Sequence, residues 1–234
     1  MTLLIAMDMG PLGIIASDKA EVMIGEDGET SLIHETASKI TPTPLGVITG
    51  AGRVEILEPV KSRVKSGGVQ NTNQVLEAIT KARSQFRLRY GSHPQVEASL
   101  ASTSWIFDYT ALLDDDQTAH RIAMFHPSWG IENFRTLGFG QANCVAPSNF
   151  SSEEAIELTE TVQKRMRMPA SGEDLTQALL DNVGLVVKTM SEVSSRAVSV
   201  SNVCDIAIVG AQLSEITDGV TMENWKSKFA FLQS

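Results

Sequence analysis

Basic residues, cysteines and long apolar runs are all scarce in this sequence, and each shortage argues against a class of function. The 234 residues carry 19 Lys and Arg against 28 Asp and Glu, a formal net charge of −9 at pH 7. A nucleic-acid backbone is bound by a concentrated basic surface, so this charge argues against a nucleic-acid partner. No apolar run reaches the roughly 18 residues needed to cross a bilayer, and no signal-peptide pattern opens the chain. The sequence therefore predicts a soluble, cytoplasmic protein with neither a nucleic-acid nor a membrane partner.

Cysteine and histidine are too few and too scattered to suggest a metal site. Cys144 and Cys204 stand in no ligand spacing and are expected to be buried thiols in a reducing compartment. The acidic run 114–116 is typical of a turn between strands more than of a calcium loop. The histidines show no ligand-like spacing with each other or with the cysteines: His34, His93, His120 and His126. No metal and no cofactor is therefore expected.

Short apolar runs bounded by turn residues predict β-strands, and stretches with helical spacing predict helices. The predicted strands cover residues 3–7, 12–16, 45–49, 96–101, 105–113, 120–125, 131–137 and 203–209. The predicted helices cover residues 53–65 (which Pro59 should start or kink), 73–90, a stretch opened by the capping box at 151–154, and 172–193. This order predicts an α+β fold with helices on both outer faces of two stacked sheets. One domain is expected over residues 1–234, with about the last 20 residues as a possible polar tail.

Thr2 is the first candidate for a catalytic residue. If Met1 is removed, the Thr2 hydroxyl becomes a nucleophile and the α-amine of the same residue can act as its general base. An unperturbed α-amine titrates at about 7.7–8.0, so little tuning is needed near neutral pH. A threonine after the initiator methionine carries no meaning alone, and its significance depends on the sequence around it.

The residues that follow Thr2 supply such a context. The two apolar runs and the tight turn between Thr2 and Asp18 resemble, without a gap, the opening of a proteasome β subunit. Ser38-Lys39-Ile40 resembles the characteristic lysine of that family, and residues 48–52 resemble the segment that ends the next strand and enters the first helix. The same elements occur in the related bacterial peptidases HslV and Anbu, and residues 199–209 resemble a strand near the end of Anbu-type chains. The good match covers about the first 65 residues, and the remainder agrees in element order only.

The resemblance implies a fold, an assembly and a set of roles. The fold would be the four-layer αββα sandwich of the N-terminal-nucleophile (Ntn) hydrolases, working in a homo-oligomeric ring. Thr2 would be the nucleophile, and Lys39 the ammonium that lowers the pKa of the Thr2 groups. Asp18 would hold Lys39 charged and oriented, and the backbone N–H of Gly52 would stabilise the oxyanion. Ser199 is the best match for the late serine of the family.

The resemblance also implies a side-chain pocket beside the nucleophile. That pocket would draw on Ala20, Glu21 and residues near Thr49. An acidic residue in such a pocket indicates a preference for basic substrate side chains. We therefore hypothesise that Glu21 selects a basic side chain.

Two departures from the family pattern put catalysis in question. Residues 138–141, Gly-Phe-Gly-Gln, stand where the family has Gly-Ser-Gly-Ser, and Phe139 cannot donate a hydroxyl hydrogen bond near the nucleophile. Arg196 stands where the family has an aspartate three residues before its late serine. Ser191 and Glu192 are the alternatives that could replace that aspartate.

Three functions therefore remain open at the level of sequence. The first is a threonine peptidase subunit of a self-compartmentalising ring that cleaves peptides or unfolded proteins. The second is a catalytically inactive subunit or scaffold of the same ring. The third is an amidase that acts on a small molecule, because the same nucleophile serves that chemistry in related folds.

Overall fold

Twelve strands and six helices make up the described part of the chain. A computed structural model describes residues 2–24, 30–112, 118–129, 133–170, 173–211 and 213–233. The strands are β1 (Leu4–Asp8), β2 (Leu12–Asp18), β3 (Glu21–Ile24), β4 (Thr30–His34), β5 (Thr41–Thr43), β6 (Gly46–Ala51), β7 (Ser104–Leu112), β8 (Thr118–Phe125), β9 (Arg135–Thr136), β10 (Ala142–Val145), β11 (Cys204–Gly210) and β12 (Leu213–Val220). The helices are α1 (Val54–Lys65), α2 (Thr72–Tyr90), α3 (Pro94–Ala101), α4 (Ser152–Arg165), α5 (Leu175–Ser194) and α6 (Trp225–Lys228).

The strands form two five-stranded antiparallel sheets and one separate ribbon. The first sheet has the order β10-β1-β2-β11-β12, and the second has the order β5-β6-β7-β8-β9. Among the described strands, β3 and β4 pair only with each other. In the first sheet Leu4 lies opposite both Ser17 of β2 and Val145 of β10, which places β1 between these two neighbours. The start of β1 is therefore flanked by the end of β2 on one side and the end of β10 on the other.

Three apolar clusters account for the burial of these elements. One cluster joins the first sheet to α4 and α5, and a second joins β6, β7 and β8 to α1, α2 and α3. The third contains residues of both sheets, among them Leu4 and Ile15 from the first and Ile106 and Ile122 from the second. Burying a Leu, Ile or Phe side chain stabilises a fold by about 1.5–3 kcal/mol, so these clusters dominate the folding free energy. The α+β class is confirmed.

Strand β1 shows why the apolar runs are nearly continuous. All its residues are buried. Leu4 and Ala6 belong to the cluster shared by both sheets, whereas Ile5 and Met7 pack towards the helices of the first sheet. Side chains alternate along a strand, so a strand that is covered on both faces needs apolar residues at every position.

The sequence prediction is wrong for one element and incomplete for others. Residues 96–101 form part of α3 and not a strand: Pro94 occupies its first turn, and Val96 and Leu100 bury one helical face. The predicted strand 131–137 is reduced to β9, and Ile131 lies outside the described residues. The acidic run 114–116 and the predicted helix start at 172 lie outside them too. Strand β10 was not predicted, because its four residues carry too little pattern.

The segment after β11 is folded and is not a polar tail. It adds the edge strand β12 and the short helix α6. The ring of Phe229 is fully buried in the cluster of the first sheet, and Trp225 packs against the same cluster. A Cβ at Gly184 of α5 would lie 3.2 Å from the Trp225 ring, which shows how closely α5 approaches this segment. These two aromatic residues are the sequence signal for a packed C-terminal segment.

Other local predictions are settled by the helix termini. Helix α1 continues through Pro59, so the proline does not start it. Helix α4 begins with the expected capping box, in which Ser151 and Glu154 each accept a hydrogen bond from the other's backbone N–H.

Within the described ranges, no helix is both long and apolar enough to span a bilayer.

Candidate active site

Thr2, Asp18 and Lys39 meet at the start of β1. The Lys39 ammonium donates a hydrogen bond to Thr2 Oγ1 at 2.9 Å and another to Asp18 Oδ2 at 3.1 Å. Thr2 directly precedes β1, Asp18 ends the neighbouring β2, and Lys39 leads into β5 of the second sheet. Because β1 and β2 are antiparallel, Thr2 before β1 and Asp18 at the end of β2 lie side by side. Lys39 reaches them from the segment that leads into the second sheet. The structure thus brings together three residues that the sequence analysis named as candidates.

The Asp18 carboxylate is held by backbone N–H groups as well as by Lys39. Its Oδ1 accepts from the Leu3 N–H at 2.9 Å, and its Oδ2 accepts from the Ala20 N–H at 2.8 Å and the Ser201 N–H at 3.4 Å. The side chain has no exposed surface. A buried carboxylate with this many donors keeps a fixed position, and it fixes the position of the lysine that it binds.

Burial dominates the electrostatics of Lys39. The side chain is only 12% exposed, and removal from water lowers its pKa from the usual value. The Asp18 carboxylate opposes this shift most strongly, and Glu21 and Asp205 oppose it from farther away. The pKa nevertheless stays lowered, so Lys39 releases its proton more readily than an exposed lysine.

Gly52 occupies a position that strongly favours glycine. It follows β6 and precedes α1, with φ at 142°, a region that residues with a Cβ rarely adopt. A Cβ at this position would lie 2.9 Å from Thr103 Oγ1 and 3.2 Å from the Thr103 Cα. Thr103 therefore packs closely against Gly52 and restricts the conformation of the backbone that enters α1.

Ser199 is buried, yet no hydrogen bond links it to Thr2, Asp18 or Lys39 within the described residues. Ser201, two residues later, contacts the site through its backbone N–H on Asp18. The pairing of Cys204 with Asp18 in β11 and β2 explains this position, and such a long-range pairing leaves no local signal in the sequence.

The candidates for the missing aspartate lie in other interactions. Arg196 forms an ion pair with Glu154 at 2.7 Å. Glu192 lies near two cations of the helical layer, Arg165 and Lys188, at 3.9 and 3.8 Å. None of the hydrogen bonds in the described ranges joins Arg196, Ser191 or Glu192 to Thr2.

Residues 138–141 lie at the opposite end of β1 from the candidate nucleophile. The Gly140 N–H donates to the Asp8 carbonyl, and the Asp8 N–H donates to the Gln141 carbonyl, both at 2.9 Å. Asp8 ends β1, which rises about 3.3 Å per residue, so roughly 20 Å separates this turn from Thr2. The alignment of these residues with the hydroxyl motif near the nucleophile is therefore wrong. Phe139, 73% exposed at that far end, carries no argument against catalysis.

The three predicted pocket residues lie in different environments. Ala20 is buried directly after Asp18. Glu21 opens β3, and its Oε2 lies 3.1 Å from His34 Nε2 across the β3–β4 ribbon. Thr49 is fully buried in β6, and its hydroxyl has no hydrogen-bond partner in the described structure.

A second ion cluster, which the sequence did not reveal, adjoins Asp18. The buried Lys19 ammonium donates to Asp205 Oδ1 at 2.9 Å and also binds the Asp218 carboxylate. Burial alone lowers the pKa of Lys19, but the hydrogen bonds to Asp218 and Asp205 outweigh it, and the net shift raises that pKa. This lysine therefore stays charged and ties the end of β2 to β11 and β12. In the described ranges no group of His, Cys, Asp and Glu has the arrangement of a metal site.

Comparisons with known proteins bear on the fold. No protein-family model matches the sequence, and no curated protein matches it either. Solved structures do match. A Gly-1 mutant of Anbu from Hyphomicrobium sp. strain MC1 aligns over 100% of this chain and 95% of its own, with a TM-score of 0.58 and 13% identity. Anbu, described as an ancestral β subunit, from Yersinia bercovieri aligns over 99% and 92%, with a TM-score of 0.58 and 13% identity. A second Hyphomicrobium Anbu structure aligns over 99% and 94%, with a TM-score of 0.56 and 12% identity.

The chain has the fold of the Anbu proteins. The match extends over the whole chain, whereas the resemblance seen in the sequence was good only over its first part. Within this Anbu-type fold, Thr2, Asp18 and Lys39 meet at the start of β1. At identities of 12–13% these structural matches establish only the fold. The activity therefore has to be argued from the chemistry of the three residues.

Proposed function

We propose that this chain is an N-terminal threonine peptidase subunit of a self-compartmentalising ring. The observation that carries the proposal is the pair of hydrogen bonds from the Lys39 ammonium to Thr2 Oγ1 and to Asp18. A buried ammonium against a hydroxyl favours the anionic form of that oxygen, which is the form that attacks a carbonyl. The substrates would be peptides or unfolded proteins.

The reaction steps follow from the groups around the start of β1. Removal of Met1 would expose the α-amine of Thr2, which takes the proton of the Thr2 hydroxyl while Oγ1 bonds to the peptide carbonyl carbon. The Gly52 N–H would stabilise the resulting oxyanion, a contribution of about 3 kcal/mol in known sites. The protonated amine then gives its proton to the leaving amine as the C–N bond breaks. Water hydrolyses the remaining ester and restores Thr2.

The layer arrangement and the ring belong to the same proposal. The three apolar clusters, two between a helical layer and a sheet and one shared by both sheets, support a four-layer αββα sandwich. The likeness to Anbu, one of whose structures is described as an ancestral β subunit, supports oligomeric assembly. A closed ring would keep the nucleophile away from folded proteins.

An inactive ring subunit is the second candidate. It is favoured by the absence, within the described residues, of any carboxylate that hydrogen-bonds to Thr2. An active site of this type needs an acceptor to orient the α-amine, and Ser199 makes no such contact. The amidase alternative gains no support from a particular contact.

The deciding experiment is the intact mass of the untagged protein before and after treatment with a peptide epoxyketone, which reacts with an N-terminal threonine. We expect loss of Met1 and addition of one inhibitor mass. The Thr2→Ala variant should be processed in the same way and gain no mass. A protein that retains Met1 and gains no mass would refute the peptidase and favour the inactive subunit.

A further inference from the structure

A cleft of about 280 Å³ lies on the β10 side of β1. It lies between the ends of β6, β7 and β8 and the segment from β10 into α4, and it includes Ala51, the residue before Gly52. The pairing of Leu4 with Val145, extended by two residues, brings Pro147 of the cleft opposite Thr2. Because β1 lies between β10 and β2, Thr2 separates this cleft from Ala20 and Glu21. A peptide crossing Thr2 would present side chains on both sides.

The walls of the cleft suit a neutral aromatic side chain. Of the described residues that line it, none is Asp, Glu, Lys or Arg. Its apolar surface includes Met124, Phe125, Trp129 and Phe150. Pockets for drug-sized ligands occupy roughly 300–1,000 Å³, so a cleft of this volume fits a single side chain. A charged side chain would lose its hydration there without gaining a partner of opposite charge.

Two polar residues, Ser104 and His126, line the cleft. The Ser104 side chain is 1% exposed, and its hydroxyl has no hydrogen-bond partner within the described residues. A buried polar group without a partner is rare and calls for one. His126 Nδ1 accepts a hydrogen bond from the Ser128 N–H at 3.2 Å and lies 2.6 Å from Ser128 Oγ, and the backbone donor favours the tautomer with the proton on Nε2. Burial lowers the pKa of His126, with Arg83 adding to the shift, and keeps the ring neutral.

We propose that this cleft binds a tyrosine side chain of the substrate, on the opposite side of the scissile bond from Glu21. The aromatic walls would take the ring, and Ser104 and the His126 Nε2–H would bind the phenol oxygen. This inference rests on the proposed peptidase function for its biological meaning, whereas binding to the cleft does not depend on catalysis.

Binding can therefore be measured on the inactive Thr2→Ala protein. Met124 lines the cleft, and its methyl group can be followed by methyl NMR after ¹³C labelling of methionine, with Met124→Leu to assign its signal. The probes are 4-methylphenol, toluene and n-butylamine, which represent Tyr, Phe and Lys side chains. We expect a saturable shift with 4-methylphenol, roughly thirtyfold weaker binding of toluene because two hydrogen bonds to the phenol oxygen are missing, and no binding of butylamine.

Two variants and a control test the assignment within the cleft. Ser104→Ala should reduce the preference for 4-methylphenol over toluene to roughly fivefold, because the His126 Nε2–H still binds the phenol oxygen. Ala155→Leu, which fills the cleft from α4, should abolish both shifts. Ile156→Leu is the matched control, because Ile156 is the next residue of α4, is exposed and does not line the cleft. It should leave binding unchanged.

Several results would overturn the inference. These are the absence of a saturable shift, equal binding of butylamine, or an unchanged preference in Ser104→Ala. A Met124 signal that responds to protein concentration and not to 4-methylphenol would assign the cleft to a second copy of the chain, and would also overturn it. The epoxyketone experiment separates the two proposals: a protein that forms the adduct but does not bind 4-methylphenol loses only this inference. One that binds 4-methylphenol but forms no adduct loses only the peptidase function.

Discussion

The charge of Lys39 is set by two opposing neighbours at the scale of a single residue, its dry surroundings and the Asp18 carboxylate. Burial lowers the pKa of Lys39 and Asp18 raises it. Asp18→Asn removes the opposing charge but keeps a side-chain oxygen for the Leu3 N–H. The pKa of Lys39 should fall further, so the alkaline limb of the epoxyketone reaction rate should move to lower pH. The rate is measured by mass spectrometry across pH 6–10, with both limbs fitted.

Glu21→Gln is the matched control for Asp18→Asn. Glu21 also raises the pKa of Lys39, but it acts at longer range and its side chain is partly exposed. Its removal should shift the same limb in the same direction by a smaller amount, because solvent screens the charge. Identical pH profiles for the wild type and Asp18→Asn would show that Lys39 does not control the reaction.

Gly52 permits a second prediction at the residue scale. Gly52→Ala places a Cβ against Thr103 at a positive φ, and such strain costs about 1–3 kcal/mol of unfolding free energy. Relief of the clash has to move the Gly52 N–H, so the rate of epoxyketone addition should fall by about 10²–10³. Urea denaturation and the adduct rate measure the two effects. Gly67→Ala is the control, because Gly67 also has a positive φ but a Cβ there meets no atom within 4 Å. It should lose stability and keep its reactivity.

The elements that were predicted from sequence are those with long or local signals. Strands β1 and β2, with Thr2 and Asp18 beside them, follow from two apolar runs and one turn, and α2 and α5 follow from helical spacing over many turns. The end of α3 and the position of residues 138–141 depend on tertiary contacts instead. The site shows the same division: Lys39 was predicted from a family-like segment, whereas the contacts of Lys19 with Asp205 and of Ser201 with Asp18 depend on the pairing of β2 with β11.

The C-terminal segment offers a test at the scale of elements. Phe229 follows α6 and is completely buried against the first sheet and α5, so Phe229→Ala should lower the unfolding free energy by about 3–5 kcal/mol. Phe231, two residues later, is 41% exposed and should cost clearly less when replaced by alanine. Both losses are read from urea denaturation curves. Equal and small losses would mean that the segment is not part of the folding unit.

At the scale of the whole molecule, a buried pair of titratable side chains lies between the two sheets at the end away from Thr2. Asp108 Oδ2 is 3.9 Å from His120 Nε2, and both residues are almost completely buried. Burial raises the pKa of Asp108 to about 7, against an opposing hydrogen bond from the Val47 N–H. Burial also lowers the pKa of His120 to about 4, with Arg121 adding to the shift. At pH 5 the folded pair is a neutral acid beside a neutral imidazole.

This pair should make no contribution to the pH dependence of stability between about pH 4 and 6.5. In that window the unfolded chain has a charged Asp108 and a protonated His120, so folded and unfolded pairs each hold one proton. Asp108→Asn leaves only the histidine, which binds a proton only when unfolded, and stability should then rise with pH by about 3 kcal/mol. His120→Gln leaves only the carboxyl group, which is protonated only when folded, and stability should fall by about 4 kcal/mol as pH rises to 7. Urea unfolding at half-unit steps of pH, taken as the difference from wild type, measures both slopes. Slopes of the same sign in the two variants would show that burial does not shift the pKa values of Asp108 and His120 in opposite directions.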